Sequence, residues 1–121
     1  RDVAVHGDQV IVLTSVNHAK GSGLRLLDLD GRFLRTIAAE QFRNPYAVSA
    51  SHGRALVVDD DDDQLGKVLY VIDIQSGEYI QRVRVDLAGG VSAILVDGDE
   101  VYIAGIHADD IAVLQLAGSE A

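Results

Sequence analysis

The stretch "GRALVVD", Gly53 to Asp59, decides the fold, because the chain contains it three times in slightly altered form. "GDQVIVL" runs from Gly7 and "GDEVYIA" from Gly98, which places the three starting glycines 46 and 45 residues apart. A short apolar run precedes each copy: "VAV" at 3–5, "YAVSA" at 46–50 and "VSAILV" at 91–96. Downstream, "LLDLDGRFLRTI" (26–37) matches "VIDIQSGEYIQRV" (71–83), and "VLQLAGSEA" (113–121) is a third, shorter version that keeps its glycine at Gly118. Self-similarity at a fixed period of this length marks a repeat architecture.

Each repeat reads as four short strands joined by hairpins. Gly7, Gly53 and Gly98 sit in the turns between first and second strands, as the pairs His6-Gly7, His52-Gly53 and Asp97-Gly98, where glycine supplies a positive φ. On this alignment His6 and His52 share one repeat position. Gly31 and Gly77 sit in the turns between third and fourth strands, where Asp28, Asp73 and Ser76 can bond nearby backbone groups. First and second strands are almost wholly apolar, as expected of strands buried on both faces. Fourth strands, "RFLRTI" and "EYIQRV", carry charge and read as outer edges. No stretch has helical periodicity over ten residues.

Four antiparallel strands per 40–50 residues is the pattern of a β-propeller blade. The expected fold is therefore all-β, a propeller fragment of about two and three-quarter blades. The blades are expected over residues 1–40, 41–86 and 87–121, the last incomplete. There is no tryptophan, which removes the Trp-Asp repeat class. The segment from Gly31 through "FLRTI", Phe42, Pro45, "GRALVVD" with Asp59, and "VLYVID" resembles the NHL-repeat family of propellers. Its "IDIQSGEYI" turn is also similar to YVTN and quinoprotein blades, and the third blade has "DLAGGVS" where the Phe…Pro approach should stand. A closed propeller has four to eight blades. The chain is thus expected to be a piece of a longer protein, a reading favoured by its lack of methionine, or else to close by assembly of copies. The resemblance implies about six blades for an NHL-like parent.

Composition excludes several function classes. The longest apolar run, Val68 to Ile72, is five residues, so no stretch is long enough to cross a bilayer as a helix. Without cysteine there is no disulfide or thiolate metal site, and the compartment stays open. The formal charge of −9 falls to −4 without Asp59 to Asp63, and no basic patch is interleaved with aromatics, which argues against nucleic acid. No nucleophile elbow, His-Glu-x-x-His, P-loop or dinucleotide fingerprint is present.

The run "DDDDD" at 59–63 is placed by the repeat between second and third strands of blade two. The corresponding loops carry His18 in blade one and His107, Asp109 and Asp110 in blade three. His18, Asp60, Asp61, Asp62, Asp63, His107, Asp109 and Asp110 are expected on one rim, as a partner-binding face. Calcium ligation by Asp59, Asp61 and Asp63 is the sharp reading of the run. An EF-hand is ruled out, because Gln64 stands where glycine is needed and Tyr70 where glutamate is. A solvated loop, or electrostatic docking of a basic partner, are the blander readings, and the solvated loop is favoured. His18 or His107 with Asp109 or Asp110 are zinc candidates of lower standing. The functional expectation is a non-catalytic protein-binding scaffold or structural subunit without cofactor. A calcium-dependent propeller hydrolase or lyase is the alternative.

Overall fold

In the computed structural model, residues 2–14, 23–38, 42, 45–61, 66–85, 91–105 and 111–115 are described. They form eleven strands, and among them there is no helix. The first sheet contains β1 (Asp2–His6), β2 (Gln9–Thr14), β3 (Gly23–Asp28) and β4 (Phe33–Ile37), hydrogen-bonded in chain order. The second contains β5 (Pro45–Ser51), β6 (Arg54–Asp61), β7 (Gly66–Asp73) and β8 (Tyr79–Val85), again in chain order. The third contains β9 (Val91–Asp97), β10 (Glu100–Gly105) and β11 (Ile111–Gln115). Every pairing is antiparallel. The chain is an all-β, propeller-like succession of blades.

Alternation along the strands divides the second sheet between two neighbours. Ile11, Leu13, Leu24, Leu26 and Ile37 point from the first sheet into a core shared with Ala55, Val57, Val68, Tyr70 and Ile72 of the second. The opposite face of the second sheet gives Leu56, Val58, Leu69 and Val71 to a core shared with Val101 and Ile103 of the third. Among the described residues only the middle sheet is covered on both faces. The two-sided burial expected of first and second strands therefore holds for β6 but fails for β1, where Val3 and Val5 are exposed, and for β9, where Leu95 is; β7, a third strand, is buried on both faces as well. Nothing packs on the outward faces of the first and third sheets among the described residues.

The glycine alignment slips by one residue in the middle sheet. His6 pairs with Gln9, so the loop between β1 and β2 is Gly7-Asp8, and Asp97 pairs with Glu100, leaving Gly98-Asp99. Ser51 pairs with Arg54, so the corresponding loop is His52-Gly53. Gly7 (φ 61°) and Gly98 (φ 62°) occupy the first loop position, alone in having positive φ, as in a type II′ turn. In the middle sheet both His52 (φ 54°) and Gly53 (φ 74°) are left-handed, as type I′ demands. His6 and His52 are consequently not equivalent: His6 ends a strand and His52 turns the chain. The strand counterpart of His6 is Ser51.

Turns between third and fourth strands follow the aspartates. Asp28 accepts from the N–H groups of Asp30 and Arg32, each at 2.9 Å, and Gly31 has φ 85°. Asp73 accepts from the N–H of Ser76 at 3.3 Å, and Gly77, with φ 78°, donates to its carbonyl at 2.7 Å.

Candidate functional site

The first strands of the three sheets stand side by side, β1 against β5 and β5 against β9. They line a groove of about 420 Å³ formed by Asp2, Val3, Ala4, Val5, Val48, Ser49, Ala50, Ala93 and Ile94. Its lining is small and mostly aliphatic, because strands that approach each other edge to edge leave little room for long side chains. Asp2 brings the one carboxylate. That carboxylate is engaged with the backbone: Oδ2 accepts from the Val48 N–H at 3.0 Å, and Oδ1 from the Val3 N–H at 2.9 Å. It ties the first sheet to the second, and among the described residues no histidine or second carboxylate lines the groove.

A second, smaller hollow of about 300 Å³ opens at the turn end of the seam between the first two sheets. His6, Gln9, Arg35, Gly53, Asp73, Ile74 and Gln75 line it. The polar groups here also cross the seam. His6 Nε2 accepts from the Gly53 N–H at 2.8 Å, and the Arg35 guanidinium donates to the Ile74 carbonyl. Ile74 N–H donates to Gly53 O at 3.0 Å, so turn and turn are locked together. Asp73 is held below its ordinary value of 3.8, chiefly by the hydroxyl of Ser76, against a smaller upward push from desolvation. Across the next seam Arg54 Nη2 stands 3.9 Å from Asp99 Oδ1. Its buried Nε has no partner among the described residues.

The acidic run does not begin as a loop. Asp59, Asp60 and Asp61 continue β6, opposite Val68, Lys67 and Gly66 of β7. Asp59 is fully buried, on the face that carries Tyr70. Phe42 and Tyr70 meet with ring centroids 5.5 Å apart, and Tyr70 stacks on Tyr79 at 5.1 Å. Burial pushes the Tyr79 hydroxyl up to about 12, with Tyr70 and the Asp59 carboxylate adding to the effect. Of the calcium candidates, then, Asp59 belongs to the interior of the seam and Asp61 to a paired strand, while Asp63 lies outside the described residues. Strand pairing carries β6 three residues into the run that the repeat placed between strands.

His18, Asp62, Asp63, His107, Asp109 and Asp110 lie outside the described residues, as do the side chains of Asp60 and Asp61. Among the described residues no group of three or more His, Asp or Glu side chains is placed to hold a metal ion. Sequence reading missed the seam groups His6, Arg35 and Asp2. The signal available for Asp2 was a lone carboxylate heading an apolar strand, and for Arg35 a cation on the core-facing parity of an edge strand.

No family model matches this chain, and no curated protein matches it. Among solved structures, a computationally designed protein, Ika4, matches over 96% of this chain and 90% of its own, at 17% identity and a TM-score of 0.44.

Proposed function

We propose that this chain is part of a rigid, non-catalytic scaffold for other proteins, built on an NHL-like propeller. The observation that carries this reading is the inner groove, where a propeller enzyme would gather its ligands. Among the described residues its side chains are mostly small and aliphatic, and its one carboxylate, that of Asp2, is occupied with backbone amides. That lining supports a structural groove over the calcium-dependent hydrolase or lyase. Phe42 adds support for the NHL-like repeat, since it is fully buried against Tyr70 on the approach to β5. Fold-level likeness alone does not determine function, so the reading rests on these residues.

The partner surface we assign is the acidic run with the histidines and aspartates of the neighbouring loops: His18, Asp60, Asp61, Asp62, Asp63, His107, Asp109 and Asp110. A net charge of −9, more than half of it from one pentad, favours a basic partner and fast, salt-sensitive association. The test is titration with a lysine-rich peptide at low and at high salt. Saturable binding that weakens with salt and is lost on replacing Asp60 to Asp63 by serine is expected. A thermal melt in millimolar calcium completes it: a calcium-dependent rise together with calcium-dependent hydrolase or lyase turnover overturns the scaffold in favour of the enzyme.

A further inference from the structure

Both seams are made from the same four positions of the sheet that precedes them. In the first sheet Ile11 and Leu13 lie opposite Leu26 and Leu24; in the second, Leu56 and Val58 lie opposite Val71 and Leu69. All eight side chains are fully buried. The same positions in the third sheet hold Tyr102 opposite Val113 and Ala104 opposite Ile111. The residue types suit a third seam, yet Ile111 is 63% exposed and Val113 55%. At the other end, Val5 occupies the frame position of Ala50 and Val96, which pack against the two cores, and Phe33 that of Tyr79. Val5 is 62% exposed and Phe33 57%. One chain therefore carries the leading half of a seam at one end and the trailing half at the other.

We propose that a second copy of this chain supplies the missing half on each side. The third sheet of one copy packs on the first sheet of the other, and the reverse contact closes the pair. The described sheets of two copies number six, within the range of four to eight for a closed propeller. The contact joins unlike faces, as both internal seams do, so it is heterologous locally while the pair keeps a two-fold axis.

A foreign protein would have to reproduce both halves of this repeated seam, whereas a second copy already has them. The inference is independent of what the assembly binds.

The test is light scattering during gel filtration of the chain and of two variants, Val5→Glu and Val113→Glu. Both sites are exposed in a single copy, so circular dichroism is expected to remain that of the parent. The parent is expected at twice the 12.9 kDa of the chain. Each variant alone is expected to fall to the single mass, because a charge then enters both seams. Mixing the two is expected to restore the double mass, since one seam then has neither substitution. A folded single-mass parent overturns the proposal. So does a mass that grows with concentration without limit, which means the contact does not close. If Val5→Glu keeps the double mass while Val113→Glu loses it, third sheets pair with each other and the proposal also fails.

Discussion

His6 and Gly53 are joined across the first seam: the imidazole Nε2 accepts from the Gly53 N–H at 2.8 Å, 47 residues away in sequence. This bond explains why a histidine ends β1 at a point where the aligned histidine of the next repeat does something else. His52 holds a left-handed conformation at φ 54° in the loop itself, its Nδ1 2.7 Å from Ser51 Oγ. The two residues should therefore answer to mutation in opposite directions.

His6→Ala is expected to lower stability by about 1 kcal/mol, the usual net worth of a hydrogen bond, and more where Gly53 N–H is left without water. His52→Asn creates Asn-Gly, the pair favoured in type I′ turns, and is expected to raise stability by roughly 0.5 kcal/mol. Urea denaturation of both variants checks this. Equal losses would return the two histidines to one repeat position.

Gly31 and Gly77 make a similar contrast. Their φ values, 85° and 78°, impose the same backbone penalty of roughly 1–2 kcal/mol on alanine. A Cβ on Gly31 meets nothing within 4 Å, but one on Gly77 stands 3.2 Å from Ile37 Cγ2, a side chain in the shared core. Gly77→Ala is expected to cost more than Gly31→Ala by on the order of 1 kcal/mol, because the neighbour must give way. Ile37→Leu, which lacks the Cγ2 branch, made in both the parent and the Gly77→Ala background tests the cause: a smaller excess with leucine supports it, and an unchanged excess refutes it.

The period of about 45 residues, the four-strand blade and the aspartate-led turns were legible in the sequence, because each rests on local chemistry. Glycine is needed at Gly31 and Gly77, and an aspartate at the strand end reaches the following amides. The one-residue slip at Gly53 was not legible. A two-residue loop accepts glycine at either position, and only the pairing of Ser51 with Arg54 reveals which is used. Nor was the extension of β6 through Asp61, since aspartate is a poor strand former and only pairing with Val68, Lys67 and Gly66 carries it on. The groove carboxylate of Asp2 depends on a neighbour 46 residues away, which no local pattern records.

That long-range contact gives a third prediction. Asp2→Ala removes the acceptor for Val48 N–H, which is part-buried between β1 and β5. A loss of about 1 kcal/mol is expected, the usual net worth of a hydrogen bond, since the donor is only part-buried. Amide exchange should quicken at Val48 before it does at Val57, which sits inside β6. Unchanged exchange at Val48 would show that the bond does not hold the seam.

The last prediction concerns alkaline pH. Burial is the main reason that the Tyr79 hydroxyl is raised from its ordinary 10.0 to about 12, with Tyr70 and Asp59 reinforcing it. Tyr79 in the folded chain thus keeps its proton where the unfolded chain has lost it. The resulting contribution to stability is fully present below about pH 10 and declines as pH rises from there through about 12. Tyr79→Phe cannot titrate, so its stability should lack this part of the alkaline decline. Other groups titrate there too, and the difference between parent and variant isolates Tyr79. The measurement is the urea midpoint of both at about pH 9 and at about pH 11.5. Parallel decline of parent and variant would show that stacking on Tyr70 does not shield the half-exposed Tyr79 hydroxyl from water. Asp59→Asn supplies the second arm: with the carboxylate charge gone, phenolate absorbance of Tyr79 should appear at lower pH than in the parent, while its burial still holds it above 10.0.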